Sequence, residues 1–278
     1  MNTADFDIYK DLLKKSSGLV LTQDKSYLID SRLNPIAKKW GYDDIAAMTS
    51  VLRALPPKDL IKDIIEAMTT NETSFFRDTR PFETFKNIVL PYYKNKQGHS
   101  KRLRIWCAAA SSGQEPYSLA MTIKEESAKM PGWTFEIVAT DISNEILDQA
   151  KEGAYSQFEV QRGLPITHLM KYFTQNDDKW IINQELKQMI KYKYFNLLEP
   201  MSTLGKFDIV FCRNVLIYFD PPTKKDVMER IGGQMTEDGF FFLGGAETVL
   251  GITDAFKGIK DARGLYAKPN SPHHKQVA

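Results

Sequence analysis

The chain has 278 residues, 42% hydrophobic and 26% charged, with a formal net charge of +2. That length points to two domains, and the composition is that of a folded globular protein, which excludes a disordered chain. The near-neutral charge argues against a nucleic-acid partner. No apolar run approaches the ~18–20 residues of a membrane span, and the N-terminal MNTADFDIYK lacks the regions of a secretory signal. The expectation is a cytoplasmic monomer without direct membrane insertion.

Residues 1–75 read as an all-α N-terminal domain. Phe6, Tyr9 and Leu13 share a helical face, as do Leu33, Ile36 and Trp40, with Pro35 marking a break or a helix start. Ile45, Met48 and Leu52 continue the pattern. After Pro56-Pro57, a further stripe runs through Leu60, Ile61, Ile64, Ile65 and Met68. Residues 8–42 hold seven basic side chains (Lys10, Lys14, Lys15, Lys25, Arg32, Lys38, Lys39) against three acidic ones (Asp11, Asp24, Asp30). Such a balance is either a solvated face or a docking surface.

Residues 76–98 read as a linker helix, and from 99 to 268 strands alternate with helices. Leu103–Ala108, Phe135–Thr140, Phe207–Cys212 and Gly239–Gly244 read as strands, with helices at 115–130, 144–151 and 223–235. This alternation is the signature of a mainly parallel α/β sheet, Rossmann-like, covered on both faces. At 172–196 two alternating runs flank Asn183 and read as a small antiparallel β insert. The polar tail 269–278 reads as disordered. Cys107 and Cys212 sit beside strand-like runs and read as buried thiols. The scattered histidines give no metal site.

In such sheets ligands bind beyond the carboxyl ends of the strands. The first of these loops, Ala108–Pro116, is rich in small residues and lacks the G-x-G-x-x-G of a dinucleotide site. Glu115 falls in the first turn of the next helix, where a carboxylate is favourable with or without a ligand. Asp141 ends the second strand, placed to accept both hydroxyls of a ribose, while Ser143 is better placed to cap the helix that follows. Arg213-Asn214 stand at the end of the third strong strand and face the cleft by position. Asp220-Pro221-Pro222 lies too late, and is followed by the wrong residue, for the base-gripping motif of amino-group methyltransferases that act on nucleic acids.

Five segments together, TTNETSFFRD (69–78), RIWCAAASSGQEPYS (104–118), ATDIS (139–143), NLL (196–198) and FCRNVLIYFD (211–220), resemble the chemotaxis receptor methyltransferase family, CheR. The resemblance covers nearly the whole chain and keeps the motifs in order. It implies an all-α domain, a linker, and an S-adenosylmethionine-dependent methyltransferase domain carrying a small β-subdomain. It also implies transfer of a methyl group to glutamate carboxylates on the cytoplasmic domain of methyl-accepting receptors, with S-adenosylhomocysteine as product. By motif matching the cofactor contacts fall on Asn71, Thr73, Arg77, Glu115, Asp141, Asn196, Leu197, Arg213 and Asn214. Arg77 and Tyr218 then lie closest to the transfer. Receptor docking is expected on Arg32, Lys38 and Lys39. Some members tether a receptor peptide at a glycine-containing hairpin loop; here Thr174–Lys179 has no glycine, which counts against a tether. Two rival readings are a methyltransferase for another substrate and a non-catalytic S-adenosylmethionine-binding signalling module.

Overall fold

The computed structural model describes residues 3–96 and 100–274. The end of the expected linker at residue 98 and the last four residues of the tail lie outside the described residues. The chain forms two compact units, Met1–Thr70 with Tyr218–Thr223, and Asn71–Ile217 with Lys224–Ala278.

The helical unit contains α1 (Thr3–Ser17), α2 (Tyr27–Lys39), α3 (Ile45–Arg53) and α4 (Lys58–Met68). Phe6, Tyr9 and Leu13 of α1 are buried as their spacing requires, as are Leu60, Ile64, Ile65 and Met68 of α4. In α2 the buried line is Ile29, Leu33 and Ala37, one step round from the expected face. Pro35 lies inside this helix and does not break it. The missing N–H would have bonded the Ser31 carbonyl, and Ser31 is exposed, so the lost bond falls on the solvent side of the helix.

The second unit starts with α5 (Arg80–Thr84), a π-helical turn over Phe85–Val89, and α6 (Leu90–Asn95). The turn ends just before Pro91, whose absent N–H interrupts the regular ladder. This segment does not behave as a linker. Phe82, Phe85, Val89, Leu90 and Tyr93 share a core with Ile105, Phe211 and Phe240, so it is a layer of the second unit.

The remaining elements alternate: β1 (Arg102–Ala108), α7 (Gln114–Glu126), β2 (Thr134–Asp141), α8 (Asn144–Glu152), β3 (Ala154–Ser156), α9 (Gln157–Gln161), α10 (Ile166–Tyr172), β4 (Phe173–Asn176) and β5 (Lys179–Ile182). They continue with α11 (Gln184–Lys187), β6 (Ile190–Tyr194), β7 (Phe207–Cys212), α12 (Pro221–Gly233), β8 (Met235–Leu243), β9 (Lys257–Gly258) and β10 (Leu265–Ala267). The main sheet has the order β6-β2-β1-β7-β8-β10-β9; its first five strands are parallel, and β10 pairs antiparallel with both β8 and β9. Strand order reverses between β1 and β7, so a crevice opens beyond their carboxyl ends. Cys107 and Cys212 are both buried in these central strands.

The small sheet has the order β3-β5-β4. The expected insert at 172–196 therefore divides. Residues 173–182 form a hairpin through a two-residue turn at Asp177-Asp178, with Asp177 at φ 53°, and β3 from residues 154–156 completes that sheet. The second alternating run joins the main sheet instead, parallel to β2. The first part of the tail is also ordered. Ser271 is buried, and the His273 ring stacks on Phe240 at 4.1 Å between centroids.

Candidate functional site

The site residues of the second unit gather where its parallel strands end. The loop after β1 is held open by its own backbone. Ala109, Ser111 and Gly113 have φ of 67°, 50° and 94°. Ala110 N–H donates to the Thr140 carbonyl at 2.8 Å, and Tyr155 Oη donates to the Ser112 carbonyl at 2.8 Å. A side chain at residue 113 would bring its Cβ to 2.7 Å from Tyr192 Oη, which is why only glycine serves there.

Asp141, at the end of β2, is 6% exposed. Its two oxygens accept from Ser111 N–H (2.9 Å) and Ser143 N–H (3.1 Å), which fixes the carboxylate plane. Ser143 caps α8, accepting from Ile146 N–H at 3.2 Å, as its sequence position implies. Ser111 also donates through Oγ to the Asn71 carbonyl at 2.7 Å, drawing the 71–79 segment to the same edge.

That segment is tightly bound within the unit. Phe76 N–H donates to Ser118 Oγ (2.9 Å), and Phe75 packs edge-on against Tyr155 and Phe173. Arg77 is half-buried and donates through Nη1 to the Glu72 carbonyl at 2.8 Å. Thr73 lies in the same segment, half-buried.

Arg213 is the centre of the charge network. Its side chain is 1% exposed, and it meets Glu115 at 2.6 Å and Asp78 at 2.7 Å, and donates to the Arg77 carbonyl at 2.8 Å. A guanidinium at that depth requires such partners, because an unpaired buried charge costs several kcal/mol. Burial pushes the Glu115 carboxyl above its usual range, with Arg213 acting in the opposite direction. Arg213 Nε is buried and has no hydrogen-bond partner among the described residues. It is an orphaned donor of the kind a bound polar ligand satisfies.

Asn196 is buried just after β6, and its Oδ1 accepts from Leu198 N–H at 3.0 Å. Leu197 is buried beside it, its carbonyl held by Arg230 at 2.8 Å. Asn214 follows Arg213 in the left-handed region, at φ 59°. Glu247, past the end of β8, accepts from Asn214 N–H and lies outside the five motif segments of the sequence. Its only sequence signal is a carboxylate in the glycine-containing loop GGAET at a strand's carboxyl end. The nine residues expected at a cofactor thus all lie at the carboxyl end of a strand, in the loop or first helical turn that follows one, or on the 71–79 segment attached to them.

Tyr218 closes the 3-10 turn Leu216–Tyr218 and belongs to the helical unit, where its carbonyl accepts from Val20 N–H at 2.9 Å. Asp220 is a cap, accepting from Thr223 N–H (3.1 Å) and pairing with Lys14 (2.8 Å). Those hydrogen bonds, Lys14 first, hold its carboxyl down at about 2. Of the three expected docking cations, Arg32 is engaged in the fold. Its Nη1 donates to the carbonyls of Met68 and Thr69, both at 2.9 Å, closing the end of α4. Lys39 pairs with Asp63 at 2.8 Å, and Lys38 is exposed.

The donor set suits a nucleoside-bearing amino acid: a fixed carboxylate for a ribose, a buried guanidinium–carboxylate pair, and amides for polar edges. Comparison with known proteins gives the same direction. The family model described as CheR methyltransferase, SAM binding domain, matches residues 71–265, and that described as CheR methyltransferase, all-alpha domain, matches residues 4–69. The chain is 40% identical over 266 residues to the chemotaxis protein methyltransferase Cher2 of Pseudomonas putida, covering 94% of this chain and 96% of that protein. It is 39% identical to chemotaxis protein methyltransferase 1 of Pseudomonas aeruginosa and 37% identical to that of Vibrio cholerae, with the same coverage.

Proposed function

The chain belongs to the CheR methyltransferase family, and from that membership we propose that its methyl acceptors are glutamate side chains on the cytoplasmic domain of chemotaxis receptors. It is an S-adenosylmethionine-dependent methyltransferase, and the products of the proposed reaction are a glutamate methyl ester and S-adenosylhomocysteine. The observation that carries the acceptor reading is the chemistry of the site side chains. Those named for the cofactor and the transfer are carboxylates, amides, guanidinium groups, one hydroxyl, one aliphatic side chain and one phenol, and none of them is an imidazole that could act as a base.

A glutamate has a reference pKa of about 4.3 and is already an anion at neutral pH, so it needs no general base. The bound cofactor supplies an electrophilic methyl group on a sulfonium. What the protein contributes is orientation and a drier surrounding. In this reading Asp141 holds the ribose hydroxyls, and Asn71, Thr73, Asn196, Leu197 and Asn214 line the remainder of the cofactor. Glu115 and Arg213 form the charged floor. Arg77 offers a planar guanidinium to a carboxylate, that of the cofactor or that of the acceptor. Tyr218 orients the reacting groups. The receptor partner places the enzyme in the cytoplasm; none of the helices among the described residues is long and apolar enough to cross a membrane.

The deciding experiment incubates the protein with receptor-containing membranes and methyl-labelled cofactor, then applies mild alkali. A carboxylate ester releases the label as methanol. A label that stays on the receptor, or no transfer at all, removes the proposal.

A further inference from the structure

Glu247 sits outside every motif that carried the functional reading, yet its carboxylate accepts four backbone N–H bonds beside the site. Oε2 accepts from Asn214 N–H at 2.8 Å and Gly244 N–H at 2.7 Å. Oε1 accepts from Val215 N–H at 3.1 Å and Leu216 N–H at 2.8 Å. Four donors match the roughly four lone-pair positions of a carboxylate. Three successive amides converging on one anion, with Asn214 in the left-handed region, form a backbone nest of the type that binds external anions. Here the anion is the protein's own.

The two loops so joined leave the adjacent strands β7 and β8. They also approach without spare room: a Cβ on Gly244 would lie 2.8 Å from Asn214 Nδ2 and 3.0 Å from Asn214 N. The fixed loop begins at Arg213-Asn214 and runs into the Leu216–Tyr218 turn. We propose that Glu247 is a positioning residue for the methyl-transfer site: it holds the Asn214–Leu216 backbone, with Asn214 in the left-handed region, and so sets where Asn214 and the Arg213 guanidinium meet the cofactor. This rests on the assignment of Arg213 and Asn214 to the cofactor given above.

The test compares wild type with Glu247→Gln, Glu247→Asp and Gly244→Ala. Three measurements are made: S-adenosylhomocysteine affinity by calorimetry, amide hydrogen exchange, and receptor methylation. Glutamine keeps the size of the side chain but turns an NH2 group toward backbone donors, so half of the nest loses its acceptor. The expected result is affinity lower by roughly tenfold or more, since small displacements of positioning groups cost on that order. Exchange should accelerate at residues 214–216 and 244 and stay unchanged in α4. Aspartate, a carboxylate one methylene shorter, should fall between wild type and glutamine. Gly244→Ala, which forces the same loops apart, should weaken affinity as well. Wild-type affinity in folded Glu247→Gln overturns the proposal, even if exchange accelerates, because the nest would then be a staple without effect on the cofactor. If Glu247→Gln does not fold, Glu247→Asp and Gly244→Ala decide by the same affinity criterion. A wild-type protein that binds S-adenosylhomocysteine but leaves the receptor unmethylated removes the glutamate reading and leaves this one to the affinity data. A wild type that does not bind it removes the cofactor assignment on which both stand.

Discussion

Asp141 is held by two backbone amides before any ligand arrives, so its carboxylate is oriented in advance. Replacing it with alanine should weaken S-adenosylmethionine and S-adenosylhomocysteine together, because both carry the ribose. The expected loss is about 1.5–3 kcal/mol, roughly ten- to over a hundredfold in affinity. Equal calorimetric affinities for a folded Asp141→Ala variant and wild type would withdraw the ribose assignment. Tyr218 calls for a different comparison. An interaction made mainly in the transition state shows in turnover and spares ground-state binding. Tyr218→Phe should therefore lower kcat well beyond any change in cofactor affinity; unchanged turnover makes it a packing aromatic. Asp141 and Ser143 were legible because a strand end fixes where the next few side chains point. Glu247 and Asp78 were not, since three of the four donors to Glu247 lie 31–33 positions away and Arg213 lies 135 positions from Asp78, and no local pattern announces them.

Elements were legible where period and burial agree. The strands β1, β2, β7 and β8 read as apolar runs because parallel strands are covered on both faces. β6 misled because it is an edge strand: its alternating burial reports exposure of one face and says nothing about which sheet it joins. The hairpin was likewise centred wrongly, since Asn183 is a strong turn signal, whereas the chain reverses at Asp177-Asp178. Side-chain rungs bind the edge of the main sheet. Glu136 on β2 pairs with Arg102 and Arg104 on β1 (2.8 and 2.9 Å) and with Lys191 on β6 (2.9 Å). Partial burial raises its carboxyl, but the hydrogen bonds from Lys191, Arg104 and Arg102 outweigh this and hold it at about 2. With the folded value below the unfolded one, the contribution is full above the unfolded pKa of about 4.3 and disappears as pH falls through about 2. Denaturant unfolding should show Glu136→Gln less stable than wild type at pH 7, with the gap narrowing below pH 4. A gap independent of pH would assign the difference to packing.

At the scale of the molecule, the excess of basic residues between 8 and 42 was legible as charge, but its division of labour was not. Arg32 holds the end of α4, so Arg32→Glu should destabilise the helical unit by about 1.5–3 kcal/mol, the range for hydrogen bonds to a charged group. A thermal midpoint equal to that of wild type would contradict this. Lys38 is exposed, and of the three expected docking cations it gives the cleanest test against an acidic receptor surface. Lys38→Glu should slow receptor methylation at low ionic strength, spare cofactor binding, and approach the wild-type rate as salt screens both. Equal rates in low salt would make this lysine part of a solvated face.

The division of the chain between its units has a consequence for biosynthesis. The helical unit begins at the first residues but is completed by Tyr218–Thr223, which bring the Val20–Tyr218 and Lys14–Asp220 contacts. At about 5–20 residues per second, a ribosome delivers that last piece roughly 7–30 seconds after Thr70. During this interval the nascent helices lack one segment of their own unit, so its Val20 and Lys14 contacts form only after the second unit is largely synthesised. Clipping the chain at residue 70 should accordingly give a fragment that melts earlier than the same helices in the full protein.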